Sequence, residues 1–193
     1  MKTFVFDNNY SHNVAPDPLS WYFLADSALT NAGKPFFIPD FAKDFEAIPT
    51  VAVRINRLGK SVAARYGSRY YAEYAPALHF RASDLLLSQR AKGLPGDMAW
   101  SFDRSFIMSD FIKYPSSGYI EVCLRKNGVA DGAFCSSKML LSLNEVISRA
   151  SCANTLKIGD LIVPALPSGS GIAIGDLVEL SVGDDNVLSV QIK

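Results

Sequence analysis

The sequence predicts a single α+β domain over residues 1–193 that is mainly β-sheet, with two or three short helices. Three observations lead to this prediction. Apolar runs of strand length recur along the chain between turn residues. Asn127-Gly128 stands between two such runs and is typical of a tight β-hairpin. Near the C-terminus, Gly159-Asp160 and Gly175-Asp176 each precede an apolar run, as turns that lead into strands do.

The strands are predicted from apolar and aromatic content, taken in chain order. Residues 3–6 form a short buried strand, and residues 7–18, rich in Asn, Asp, Ser and Pro, form a loop. Residues 21–29 fit either a helical turn or a loose strand. The further extended segments are 34–39, 51–55, 70–80, 119–125 and 132–136, followed by strand, turn and strand to Ile192.

Two segments have helical spacing. One begins at residues 82–84, with Ser83 or Asp84 as its cap, and is stopped by Gly93 and Pro95. The other covers residues 141–150. Ser142 followed three residues later by Glu145 predicts a capping box at its start.

Composition limits the classes of function. Lysine plus arginine and aspartate plus glutamate both number 19, so the formal net charge is zero and nothing favours a nucleic-acid partner. No apolar segment is long enough to span a bilayer, and the N-terminal apolar run is too short for a signal peptide. We therefore expect a cytoplasmic protein. Cys123, Cys135 and Cys152 are predicted to be buried free thiols, with a catalytic cysteine as the alternative.

Motifs along nearly the whole chain resemble the fumarylacetoacetate hydrolase family. They include Asn9-Tyr10 with the following His12, Lys92-Gly93-Leu94-Pro95, Ser101-Phe102-Asp103, and the C-terminal segment 156–182 with its two Gly-Asp turns. The resemblance implies a mixed β-sandwich roll, usually paired as a homodimer. It also implies a hydrolase or isomerase acting on 2-oxo or diketo carboxylates, such as acylpyruvates.

The resemblance further implies a Mg²⁺ or Mn²⁺ ion, held by two glutamates on one strand and an aspartate on the next. In this chain those positions fall on Ile48, Thr50 and His79. None of these is a carboxylate, the ligand that hard divalent ions require. We therefore predict no metal site and no cofactor, with the family's metal-dependent catalysis lost. Glu46 could fill one ligand position only if the alignment takes a gap.

The remaining site residues are assigned from the same resemblance. His12 is either a general base or a loop histidine bonded to its own backbone, and His79 is either a lone metal ligand or a hydrogen-bonded strand residue. Trp100 replaces a family lysine and either stacks on a ligand or fills space. The family's carboxylate-binding loop reads Pro-Ala-Leu-Pro at residues 164–167. The predicted pocket residues are Tyr10, His79, Trp100, Asp103, Leu166 and Ser168.

Two functions from different classes follow. The first is an enzyme acting on a 2-oxo acid, with altered metal use, supported by the resemblance together with His12 and Asp103. The second is a non-catalytic member, either a binder of an apolar ligand or a structural homodimer subunit, supported by the joint loss of acidic and lysine positions.

Overall fold

The computed structural model describes residues 1–10 and 20–193. The strands in this part of the chain are β1 (Thr3–Val5), β2 (Tyr22–Leu24), β3 (Leu29–Asn31), β4 (Phe45–Ile55), β5 (Tyr71–Ala82), β6 (Phe106–Met108), β7 (Ile112–Lys113), β8 (Glu121–Lys126), β9 (Val129–Cys135), β10 (Leu161–Val163), β11 (Ser170–Ile172), β12 (Leu177–Val182) and β13 (Asp185–Gln191). The α-helices are α1 (Ser83–Ala91), α2 (Asp97–Trp100) and α3 (Leu143–Ala153). Among the described residues, no helix has the length and apolar character needed to cross a membrane.

The larger sheet is mixed and has β4 and β5 near its centre. Its strands follow the order β2-β1-β10-β4-β5-β6-β3, while β11 also pairs with β4 and β7 with β5. β1 runs parallel to β10 and β3 parallel to β6, whereas β4 and β5 are antiparallel. β4 and β5 are almost continuously buried, as expected for strands that are covered on both faces.

The smaller sheet is antiparallel and has the order β13-β12-β8-β9. Its Leu124 and Phe134 share one core cluster with Leu78 and Phe80 of β5 and with Ile147 of α3. The opposite face of β4 and β5 carries a second apolar cluster, which includes Ile48, Ala52, Ala75 and Ala77. The central pair of strands therefore has a separate core on each side.

This architecture confirms the predicted mainly-β α+β fold. Asn127 and Gly128 join β8 to β9 with φ values of 52° and 79°, the left-handed conformation that a type I′ hairpin turn requires. The predicted capping box is also confirmed, because Ser142 and Glu145 each accept a hydrogen bond from the other's backbone N–H at the start of α3.

The start of α1 differs from the prediction. Ala82 is the N-cap residue and provides no side-chain cap, so the assignment of that role to Ser83 or Asp84 is wrong. The Ser83 hydroxyl donates to the carbonyl of Asp44 over 3.2 Å, and the Asp84 carboxylate accepts from the N–H of Lys43 over 3.1 Å. Both side chains tie the helix to the segment that enters β4.

The three cysteines are free, as predicted. Cys135 is buried and Cys123 is partly buried, but Cys152 is exposed, so the predicted burial is wrong for that residue. Cys152 lies in the last turn of α3, next to the buried Ser151, on the side of the helix that faces solvent.

Candidate active site

One face of the β4–β5 pair forms the centre of the candidate site. In the antiparallel register, Ile48 lies opposite His79 and Thr50 lies opposite Ala77. Alternate residues of a strand share a face, so Ile48, Thr50 and His79 point to the same side of the sheet. The register therefore gathers the three positions where the resemblance implied metal ligands, and all three residues are 0% exposed.

The side-chain hydroxyl of Thr50 already has a hydrogen-bond partner. Its hydroxyl donates a buried hydrogen bond to the carbonyl of Ala165 over 2.8 Å. Ala165 belongs to the segment 164–167, which follows β10 and is buried throughout. The bond ties this segment to the centre of β4 and satisfies a hydroxyl that would otherwise be costly to bury.

His79 is held as a neutral imidazole. Its Nε2 lies 2.9 Å from the carbonyl oxygen of Trp100. Because a carbonyl only accepts, Nε2 carries the proton and Nδ1 is bare, with no partner among the described residues. Burial lowers the pKa of His79 to about 4, against the opposing effect of the Trp100 bond and with a smaller contribution from Arg81. The ring therefore adds no charge near pH 7.

Two aromatic rings fill the space above these residues. Trp100 at the end of α2 packs in the same apolar cluster as Ile48 and Leu166. Tyr22 of β2 stacks on its indole, with ring centroids 4.2 Å apart and planes inclined by 20°. Burial raises the pKa of Tyr22 well above its ordinary value, so the phenol is neutral. The two rings add no charge of their own, and the nearest cation over the indole is Arg90, whose Cζ atom lies 5.8 Å from the centre of the Trp100 ring.

The carboxylate nearest along the strand is already paired. Glu46 lies opposite Arg81, on the same face as Ile48 and His79 but one alternation nearer the start of β4. The two side chains form an ion pair of 2.7 Å and are 16% and 21% exposed. The Glu46 carboxylate is therefore already neutralised by the Arg81 guanidinium, which weakens its attraction for a second cation.

These residues do not fit Mg²⁺ or Mn²⁺. Ile48 has no ligand atom, the Thr50 hydroxyl bonds Ala165, and His79 offers a single nitrogen of a type that softer metals prefer. Within residues 1–10 and 20–193, no group of three or more His, Cys, Asp or Glu side chains could hold a metal ion.

The predicted pocket residues do not all meet. His79, Trp100 and Leu166 come together around the second cluster. Tyr10 packs in the cluster on the other face of the sheet, where its hydroxyl accepts from the N–H of Cys135 over 3.0 Å. Asp103 and Ser168 are exposed. His12 lies outside the described residues.

The surroundings of Cys135 give no support to the alternative of a catalytic cysteine. Burial, together with a hydrogen bond from the thiol to Glu121, raises the pKa of Cys135. The Sγ atom lies 3.3 Å from the Glu121 carboxylate. A thiol next to a carboxylate stays protonated and is a poor nucleophile at neutral pH.

Sequence reasoning missed the aromatic stack and the ion pair at the edge of the site. Tyr22 comes from an edge strand, and nothing in its local sequence indicates contact with Trp100. The pairing of Glu46 with Arg81 could have been found, because each is two residues from a site position on its own strand. Alternation places both on the site's face.

Comparison with known proteins agrees with this fold. The model of the fumarylacetoacetate (FAA) hydrolase C-terminal family matches residues 4–192, and the chain belongs to this family. Among its relatives is the mitochondrial oxaloacetate tautomerase FAHD1 of Rattus norvegicus, 31% identical over 170 residues, which span 86% of this chain and 76% of that protein.

Solved structures show the same fold at lower identity. The fumarylpyruvate hydrolase of Pseudomonas aeruginosa, solved with Mn²⁺ and pyruvate, superposes with a TM-score of 0.90 at 18% identity, covering 100% of this chain and 89% of that one. The 5-carboxymethyl-2-hydroxymuconate delta-isomerase of Mycobacterium smegmatis gives 0.87 at 21%, covering 99% and 78%. At these identities the likeness establishes the fold alone.

Proposed function

We propose that this chain is a non-catalytic member of the family that acts as a binding or structural subunit of a homodimer. The proposal rests on one observation, the neutral and packed state of the three ligand positions. Ile48, Thr50 and His79 supply no carboxylate, and each is fully buried. A divalent ion placed among them would lose its water and gain no anionic oxygen in exchange.

The same reasoning applies to a 2-oxo or diketo carboxylate, including an acylpyruvate. Trp100 stands at the position of a family lysine, and Leu166 lies in the segment that replaces the family's carboxylate-binding loop; both are buried. A dicarboxylate in this place would have its charges desolvated without a partner. We propose that the protein's own side chains fill the position of the family's active site. This position, here called the inherited site, consists of Ile48, Thr50, His79, Trp100 and Leu166.

A second candidate function is an enzyme that acts on a 2-oxo acid without the usual metal ligands. Its support is the oxaloacetate tautomerase activity named for a relative at 31% identity, and His12, to which the family resemblance assigns the role of general base. We rank it second because no carboxylate or lysine stands at the substrate-binding positions next to His79 and Trp100.

The proposal extends to partners and location. We propose no nucleic-acid or membrane partner, because lysine plus arginine and aspartate plus glutamate are equal at 19. We also propose a cytoplasmic location, although the name of the rat relative gives a mitochondrial one for that protein. Light scattering tests the homodimer: a monomer mass at micromolar concentration would contradict it. Cell fractionation tests the location.

Metal content and turnover together test the non-catalytic proposal. Tag-free protein is incubated with Mn²⁺ or Mg²⁺, desalted and measured by elemental analysis. The same samples are then assayed with oxaloacetate and an acylpyruvate. We expect less than about 0.1 ion per chain, because the site has no anionic ligand. We also expect no turnover above the rate measured with the free metal ion alone. A stoichiometric ion, or metal-dependent turnover by the wild-type chain, would overturn the proposal and favour the second candidate.

A restored site sharpens the result. The variant Ile48→Glu, Thr50→Glu, His79→Asp, Trp100→Lys is expected to take up Mn²⁺, because it returns three carboxylates to one face of β4 and β5. Its matched control carries Gln, Gln and Asn at the first three positions, with the same shapes but no charge, and is expected to take up none. If the restored chain does not fold, the wild-type measurement still decides.

A further inference from the structure

A cluster of cations lies in the connection between β4 and β5, away from the inherited site in the middle of the two strands. Arg57, Lys60, Arg65 and Arg69 fall in the connection between the two strands, and residues 56–72 contain no Asp or Glu. All four side chains are exposed. In a chain with zero net charge, this is a strong local excess of positive charge.

The backbone under this cluster is fixed by hydrogen bonds. The N–H of Asn56 donates to the carbonyl of Tyr70 over 2.9 Å, which closes the connection at its base. The N–H of Val62 donates over 2.8 Å to the hydroxyl of Ser151 on α3. Gly59 exchanges two backbone bonds with Leu156, of 3.1 Å and 2.8 Å. These hydrogen bonds therefore fix the backbone of the loop that carries the cations.

Gly59 is required in this loop by close packing. A Cβ atom there would collide with the ring of Tyr70 and with a methyl group of Val62. The backbone thus passes directly beneath Tyr70, which forms one wall of the cluster. Arg57 and Lys60 lie close to this glycine in sequence and line the same cavity as Arg69.

A cavity of about 310 Å³ opens between these side chains. Its lining includes Arg57, Lys60, Ser61, Tyr66, Arg69 and Tyr70. No carboxylate of the described residues forms an ion pair with Arg57, Lys60 or Arg69. Lys60 donates to the carbonyl of Cys152 over 3.0 Å, which holds its ammonium group at the rim. The cavity therefore presents three cations whose charge is not neutralised.

Tyr66 orders the guanidinium groups. The Cζ atom of Arg69 lies 4.7 Å from the centre of its ring and that of Arg65 lies 4.9 Å away. Cation–π contacts of this kind hold a guanidinium plane in place while leaving its N–H groups free to donate. An arginine fixed in this way loses less freedom when it binds an anion.

We infer that this cavity binds a small anion that carries a diphosphate group. A guanidinium group matches a phosphate in a two-pronged geometry, and an ammonium group adds a point charge. Three cations that repel one another are better neutralised by the linked charges of a diphosphate than by one phosphate. The volume exceeds that of a single phosphate, and Tyr66 and Tyr70 offer apolar walls for a bridging or ester group. The site is separate from the inherited one, so this inference does not rest on the proposed function.

Calorimetric titration of the full chain at low salt tests the inference, with inorganic pyrophosphate as the probe. We expect pyrophosphate to bind at least about tenfold more tightly than inorganic phosphate, because it engages more of the cations. Arg57→Gln and Arg69→Gln should each weaken binding about tenfold. Lys34→Gln, which removes an exposed cation outside the cavity, should change binding less than about twofold.

Further ligands separate the two sources of a diphosphate. Tighter binding of ADP than of pyrophosphate supports the inference with a diphosphate ester as ligand, and the reverse order supports it with the inorganic ion. Three results would overturn the inference: no binding of either probe, equal binding by the wild type and both arginine variants, or tighter binding of a short single-stranded oligonucleotide than of both diphosphates. None of them depends on metal content at Ile48, Thr50 and His79.

Discussion

The middle of the β4–β5 pair and the connection between its strands, here called the open end, handle polar chemistry in opposite ways. In the middle, Thr50 and His79 are fully buried, neutral and hydrogen-bonded to carbonyls beneath Trp100. At the open end, Arg57 and Arg69 are exposed and line an open cavity. Both regions belong to the same pair of strands, and they differ in burial.

Under the proposed function, loss of the metal ligands and filling of the site by side chains have one physical cause. A face that excludes water stabilises only groups that are uncharged or fully paired. Once no ion is held between Ile48 and His79, apolar packing by Trp100 and Leu166 is the stable alternative. At the open end water screens the repulsion between cations, so charge can remain available for a ligand.

The largest effect is expected from a single charge placed in the buried inherited site. Ile48→Glu without a metal should lower the free energy of unfolding by about 4 kcal/mol, because it leaves a carboxylate buried without a partner. Urea denaturation measures the change. The control Ile158→Glu, at a residue that is 73% exposed, should cost less than about 0.5 kcal/mol. Equal costs at the two positions would mean that water enters the inherited site.

Removal of the aromatic filling is expected to have the next largest effect. Trp100→Ala should cost about 3 kcal/mol, since it opens a cavity against Tyr22, Ile48 and Leu166. The control Phe37→Ala removes a ring that is 62% exposed and should cost much less. Thermal and urea unfolding both report the difference. A cost near that of the control would show that the indole does not hold the site closed.

The buried histidine predicts a pH dependence. His79 binds a proton near pH 6.5 in the unfolded chain but only near pH 4 in the folded one. The free energy of unfolding should therefore fall as the pH falls from 6.5 to 4, by at most roughly 3 kcal/mol, since each pKa unit corresponds to about 1.4 kcal/mol. His79→Gln should flatten this slope in urea titrations at pH 6.5, 5.5 and 4.5. An unchanged slope would contradict the prediction.

Asp160 contributes little to a slope in that window. Burial acts to raise the pKa of Asp160, but hydrogen bonds from Lys2 and Lys157 outweigh it and lower the pKa below 3.8. A carboxyl group whose folded pKa is lowered loses its contribution only as the pH falls below its unfolded value. Asp160→Asn should therefore leave the slope between pH 6.5 and 4.5 in place.

The smallest effect is expected at the support of the open end. Ser151→Ala removes the hydroxyl that accepts from the N–H of Val62 and should cost about 1–2 kcal/mol, since it leaves a buried donor unpaired. It should also weaken pyrophosphate binding a few-fold without changing the inherited site. Ser148→Ala, one turn earlier in α3, is the matched control and should change neither quantity appreciably. Loss of stability without any change in pyrophosphate binding would mean that the loop does not need this bond.

Local rules predicted much of the fold. The hairpin was predicted from Asn127-Gly128, and the start of α3 from Ser142 with Glu145. Both features are determined by residues no more than four positions apart, so a local sequence pattern is sufficient to predict them. The strand predicted at residues 51–55 begins earlier, at Phe45, because residues 45–50 also pair with β5, and residues 45–47 pair with β11. Such long-range pairing is not visible in a local pattern.

The candidate site was predictable only in part. The positions of Ile48, Thr50 and His79 followed from the resemblance, and alternation along β4 and β5 explains why they meet. The separation of Tyr10 from His79 could not be predicted, because it depends on which face of the sheet a distant loop covers. The cations of residues 57–69 were visible in the sequence, but the closure at Tyr70 that gathers them was not.

The uneven exposure of the three thiols makes the open end accessible to spectroscopy. Cys152 is exposed, and its backbone carbonyl holds the ammonium group of Lys60, whereas Cys135 is buried. A maleimide fluorophore added in less than one equivalent should react first at Cys152 and stand at the rim of the cation-lined cavity. The native chain thus has a built-in labelling position from which emission changes can follow occupancy of the cavity without any engineered cysteine.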